Sequence, residues 1–181
     1  MRASLLFAPA LLALAACGET QYFTPPPAAS ELRLNVRPDT VQVNPVSAPE
    51  YALNQEIPIQ QADGSLLTDT DRLWADLPDR ALQGSLVRHL NQITDARVAA
   101  EPWPLKGFPE VEVSVFVDDM IVQAGGRLRF TGTYALRNEL GADSVETFSI
   151  VVPVAGTDYI TIIAAHEAAW ILLAEQIARD L

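Results

Sequence analysis

Few side chains in this 181-residue chain are of a type and spacing that could do chemistry. Asp118-Asp119 presents two adjacent carboxylates. A metal site or an acid/base pair would need further ligands converging on them. The neighbouring sequence supplies none, so a solvated strand segment is the expectation. His166-Glu167 interrupts an apolar stretch and reads as a buried histidine with a hydrogen-bond partner, or as a seam where two subunits meet. Trp74 and Trp103 could stack on a ligand, but the area a Trp buries makes packing in or at the edge of the core the expected role, and Trp170 reads as core or interface for the same reason. Cys17 is the sole cysteine, and His89 and His166 are the sole histidines. That rules out an intramolecular disulfide and argues against a Cys/His metal site. No serine stands in a G-x-S-x-G turn, and no glycine loop ends in the Lys that would hold ATP phosphates. The inventory predicts a protein that is not an enzyme and uses no metal or cofactor.

Cys17 has a different chemistry in prospect. Arg2 is followed by an apolar run over residues 5–14, then by Ala15, Ala16 and Cys17. A positive start, a short apolar run and small residues at the cut describe a secretory leader. The run is too short to span a bilayer, which takes about 20 apolar residues. Leu14-Ala15-Ala16-Cys17 resembles the lipobox of bacterial lipoproteins. That resemblance implies cleavage between Ala16 and Cys17, a diacylglyceryl group on the thiol and an acylated amino terminus such as palmitate. Each buried CH₂ contributes roughly 0.8 kcal/mol, so several acyl chains anchor firmly. Gly18 stands where an Asp would signal inner-membrane retention, which favours the periplasmic face of the outer membrane.

Residues 1–16 are thus expected as signal peptide, 17–30 as a lipidated start and proline-rich tether, and 31–181 as one periplasmic domain. Pro25-Pro26-Pro27 cannot donate backbone hydrogen bonds and favours an extended chain. Apolar residues are 49 % of the sequence, enough for a packed core. Charges are 12 Lys+Arg against 23 Asp+Glu, which argues against nucleic acid and against a basic patch on anionic lipid.

The elements are legible from periodicity. Leu32, Leu34, Val36, Val41 and Val43 suggest one strand interrupted at Pro38. Residues 56–60 and 65–68 read as short strands around Ala62-Asp63-Gly64. A helix is expected over 72–93, capped by Thr70 or Asp71 and kinked or restarted near Leu77 because of Pro78. Leu82, Leu86, Leu90 and Ile93 form its apolar stripe. Residues 97–100 suggest a strand. Val111, Val113, Val115 and Val117 alternate with polar or exposed positions, as do Leu128, Phe130, Tyr134 and Leu136. Gly125-Gly126 lies between them, so a long hairpin is predicted, followed by a third strand over 145–152. A last helix is expected from Thr157 or Asp158 to Asp180, too short and interrupted to span a membrane. Its nearly all-round apolarity suggests burial on two sides, one on the sheet and the other against the first helix or another subunit. Tyr159, Ile163, His166 and Trp170 are the residues assigned to that interface, and a homo-oligomer is the corollary.

Taken in order, these features resemble the PqiC-type ABC-transport auxiliary lipoproteins that accompany MCE-domain lipid transport systems. The resemblance rests on the lipobox with Cys17, the segment 51–59, Trp74-Ala75-Asp76, the stripe through Leu90 and Pro102-Trp103. It continues through the hairpin with Gly125-Gly126, Asp158-Tyr159 and the terminal Glu175-Gln176-Ile177-Ala178. Leu73 precedes the Trp where the family often has Arg, and Leu77 intervenes before Pro78. The resemblance implies an α+β fold, an antiparallel β-sheet with two helices packed on one face. It implies a non-catalytic docking subunit serving an MCE protein and its ABC transporter in membrane integrity. A lipid- or ligand-binding lipoprotein and a structural lipoprotein of another envelope assembly are the alternatives.

Overall fold

The structure is a computed structural model that describes residues 19–139 and 141–181. Its elements run β1 (Gln21–Phe23), β2 (Thr40–Val43), α1 (Glu50–Leu53), β3 (Ile59–Gln60), β4 (Leu66–Leu67) and β5 (Arg72–Trp74). They continue as α2 (Pro78–Ile93), β6 (Arg97–Ala100), β7 (Val111–Gln123), β8 (Arg127–Asn138), β9 (Ser144–Pro153) and α3 (Tyr159–Asp180). Cys17, Ala16 and the leader lie outside the described residues.

The antiparallel meander β7-β8-β9 is the backbone of the fold. Alternation puts Val111, Val113, Val115 and Val117 of β7 inside, with Val113 opposite Leu136 and Val115 opposite Tyr134 of β8, while Phe130 and Leu128 lie opposite Met120 and Val122. Gly126 has a φ of 70° and donates to Gln123 O at 2.9 Å, closing the hairpin in a conformation that disfavours a Cβ. A bulge between Val117 and Asp119 inserts Asp118 as an extra residue. The buried set therefore changes parity, from Val117 to Met120 and Val122, which strict alternation cannot show. Opposite the bulge, Gly132 leaves the room required: a Cβ there would lie 2.2 Å from Phe116 O and 2.8 Å from Phe148 Cζ.

The sheet is mixed rather than purely antiparallel, which corrects the sequence expectation. β7 pairs in parallel with β2 at its start and with β3 at its end, and β2 pairs in parallel with β6. The reason is the connection. β2 and β6 are joined through a crossover that includes α2, and a crossover of that length returns the chain parallel. Four-residue strands carry no pairing direction in their alternation. The hairpin β3-β4 forms as expected, with Gly64 at φ 88°.

Among the described residues three helices form rather than two; the extra one is the single turn α1. Residues 72–74 form a strand, and α2 begins at Pro78 with Leu77 as its cap residue and no side-chain cap, so neither Thr70 nor Asp71 caps it. Proline at the first helical position needs no N–H partner, so the helix starts there instead of kinking. Leu82, Leu86, Leu90 and Ile93 all reach the core. α3 begins after Asp158, whose carboxylate accepts from Thr161 N at 3.0 Å. That bond holds the Asp158 carboxyl below its usual range. At 22 residues and a mean hydropathy of 1.3, α3 is after all long and apolar enough to cross a membrane. Instead it packs on α2 and on β8 and β9, and this accounts for its apolar character within one chain.

Candidate functional site

The seam between α2 and α3 holds the polar groups whose chemistry stood out in sequence. Ser85 and His89 sit four residues apart on α2, on the face that also buries Leu82 and Leu86. They meet Glu167 of α3, which is 2 % exposed. Its carboxylate accepts from Ser85 Oγ at 3.2 Å and His89 Nε2 at 2.9 Å, with Arg88 closing from the rim at 3.4 Å. A buried carboxylate survives because these donors replace its water. Sequence reasoning noticed Glu167 but paired it with its neighbour His166. The i, i+4 placement of Ser85 and His89 marks a polar patch on the α2 stripe, but nothing local in the sequence ties that patch to Glu167.

His166 faces away from that pair. Its Nδ1 lies 2.9 Å from Ile162 O, one turn back in the same helix. Burial pushes its pKa down to about 4, so the ring is neutral at physiological pH. Trp74 meets His166 edge-on at 5.1 Å and stacks on Trp170 at 5.7 Å. Trp74 and Trp170 thus fill the core, while Trp103 is half-buried. Of the four residues assigned to an interface, Ile163, His166 and Trp170 are enclosed by their own chain. Tyr159 is half-buried against Phe23, at 5.8 Å between rings. The second side of α3 is covered by α2 and the N-terminal segment, so of the two partners the sequence allows for it, first helix or another subunit, the helix takes the place.

Asp118 and Asp119 do not form a carboxylate pair. The bulge leaves Asp118 in solvent and turns Asp119 to Arg129, while Tyr51 donates to Asp119 at 2.6 Å. Burial, and then the bond to Asp119, push the Tyr51 hydroxyl up to about 12. This cluster ties α1 to the bulge. Among the described residues no three His, Cys, Asp or Glu side chains gather as a metal site.

The N-terminal segment is not a free spacer. β1 pairs in parallel with β5, Phe23 stacks on Tyr159, and Ser30 Oγ donates to Glu175 Oε1 at 2.6 Å. Residues 21–30 therefore lie along α3 from its first turn to its fifth. At the other end of α3 an open cleft of about 640 Å³ is lined by Leu34, Val36 and Leu136 together with Arg37, Arg179 and Asp180.

Comparison with solved structures supports the fold. One uncharacterized protein superposes with a TM-score of 0.73 at 20 % identity, covering 90 % of this chain and 99 % of that one. A protein from Xanthomonas campestris superposes with a TM-score of 0.63 at 20 % identity, covering 88 % and 90 %. No curated protein matches the sequence. Residues 22–178 match the family described as the ABC-type transport auxiliary lipoprotein component, from the first described strand to the last turn of α3. The chain belongs to the ABC-type transport auxiliary lipoprotein family.

Proposed function

We propose that the chain is a lipid-anchored, non-catalytic docking subunit of an ABC-type system that moves lipid between membranes, with an MCE-domain protein as its direct partner. Cys17 is its acylated N-terminus, Ala16 the last residue removed, and the periplasmic face of the outer membrane its location. The observation that carries the reading is the extent of the family match. It spans 22–178 and begins five residues after the lipobox cysteine, which supports reading the domain together with the proposed anchor. The placement of polar groups agrees with it. Glu167, His89, Ser85 and Asp119 are engaged in holding elements together, which suits a scaffold better than a reaction centre.

Self-association belongs to the same reading, through a strand edge rather than through α3. β9 pairs with β8 alone. Val154 N donates to Gly126 O at 2.8 Å, so by alternation the N–H and C=O groups of Val145, Thr147, Ser149 and Val151 point away from β8. A ten-residue edge with one charge, Glu146, lacks the usual protection against strand pairing.

The test of the main reading is an affinity pull-down of the full chain from gently solubilised, crosslinked membranes, read by mass spectrometry. Recovery of an MCE protein, with or without ABC subunits, is expected. Recovery of the chain alone, from membranes shown to contain that protein, overturns it.

A further inference from the structure

The first strand fixes where the anchor leaves the domain. Gln21 N donates to Asp71 O at 2.8 Å, and from there β1 runs toward Phe23 and the first turn of α3. Later residues follow α3 to Glu175, so chain upstream of Gln21 departs in the opposite direction, beyond the start of α3. The registers gather other segments at that same end. Gln60 pairs with Gln123 and with Leu66, and Arg127 pairs with Pro153, which leads into α3 after a short link. The tips of both hairpins, the start of α3 and the departing chain thus share one end of the molecule.

Four large apolar side chains are exposed there: Tyr22 at 61 %, Leu66 at 42 %, Leu67 at 60 % and Ile160 at 70 %. Only four Cα steps separate Cys17 from Gln21, a reach of roughly 14 Å when fully extended. The headgroup layer itself is roughly 5 to 7 Å deep on each side of a bilayer. An acyl anchor at Cys17 therefore holds Gln21 within roughly 7 to 9 Å of the outer limit of the headgroups, less than the depth of a packed protein layer.

We propose that this end of the domain rests on the membrane, with Tyr22, Leu66, Leu67 and Ile160 entering the headgroup region. The proposal rests on Cys17 being the anchor. A lipid surface is the occupant because the linker leaves little depth for a protein layer between this end and the bilayer. Aromatic and aliphatic side chains at the rim of a domain partition into that layer. Glu19, Asp63, Asp69 and Asp158 lie on segments at this end and outnumber its cations, Arg72 and Arg127, so the contact is apolar and does not depend on anionic lipid. The docked orientation points the cleft at the far end of α3, and the loop bearing Phe108 at 92 % exposure, into the periplasm.

The test uses the full chain, processed in cells and reconstituted in phosphatidylcholine vesicles. Acylation would occupy Cys17, so a cysteine introduced as Leu67→Cys, Ile160→Cys or Phe108→Cys becomes the sole free thiol for a fluorophore. Labels at 67 and 160 are expected to lose most of their fluorescence to doxyl-labelled lipid, and the label at 108 to keep it. Replacing part of the phosphatidylcholine with phosphatidylglycerol should change nothing. Vesicle flotation separates the two premises. A chain that does not float overturns the anchor, and the docking argument with it. A chain that floats with labels 67 and 160 unquenched overturns the docking alone. Labels at 67 and 160 that are shielded from aqueous quencher yet out of reach of lipid quencher mean that a protein covers this end, and that too overturns the proposal.

Discussion

At the scale of single residues, the seam between α2 and α3 sets two expectations. Glu167 is buried with Ser85 and His89 as donors, so Glu167→Ala strands both and should cost about 3 kcal/mol in denaturant unfolding. Replacing the pair together, as Glu167→Leu with His89→Phe, should recover most of that loss, because an apolar pair leaves nothing unsatisfied. Equal loss in the single and double variants would show that the pair is not coupled. His166 sets the second expectation. Its folded pKa, about 4, lies below the ordinary 6.5. Between those values the unfolded chain binds a proton that the folded chain refuses, so stability is full above pH 6.5 and is lost as pH falls toward 4. The span corresponds to a loss on the order of 3 kcal/mol. The melting temperature of His166→Leu should therefore fall less steeply over that window than that of the unmodified chain.

At the scale of elements, the central hairpin depends on one glycine. Gly132 stands opposite the bulge, against Phe116 O and the ring of Phe148. The backbone oxygen cannot withdraw without breaking the β7-β8 ladder, so Gly132→Ala should destabilise the domain severely or prevent its folding. Gly125→Ala makes the matched control, since nothing lies within 4 Å of its added Cβ. Comparable melting temperatures for the two variants would refute the role given to Gly132. The parallel partners of β7 have a consequence too. β7 is bordered on one side by β8 and on the other by β2 and β3 in turn, so it sits at the centre of the sheet with few backbone groups left to solvent.

At the scale of the whole molecule, the fold has two distinct ends and, among its edge strands, one long open edge. The start of β1, the hairpin tips and the first turn of α3 mark one end, and the cleft near Arg179 and Asp180 marks the other. The open edge is β9. A two-fold pairing of β9 with itself about Phe148 would set Val145 opposite Val151 and Thr147 opposite Ser149, with no like charges facing each other. Light scattering should accordingly give a mass above that of one chain as concentration rises, and Val151→Lys should return it to one chain. A single-chain mass at every concentration would exclude pairing through this edge.

The sequence by itself determined the elements whose signals are local. The valine alternation of β7, the glycines of its turn, the stripe of α2 and the cap at Asp158 each depend on neighbours a few residues away, and each lies where periodicity puts it. The family, too, was legible, because its features follow one another in order along the chain. Tertiary structure alone decided the rest. Whether β2 runs parallel to β7, whether Arg72–Trp74 is strand or helix, and whether residues 21–30 hang free or lie on α3 depend on partners far along the chain. The same holds for the candidate site residues. Glu167 and His89 are 78 residues apart, and no short-range rule connects them. Trp170 and Ile163 left a neighbouring helix and a second subunit both open because an apolar helix face records only that something covers it; the covering surface here is the chain's own sheet, second helix and N-terminal segment.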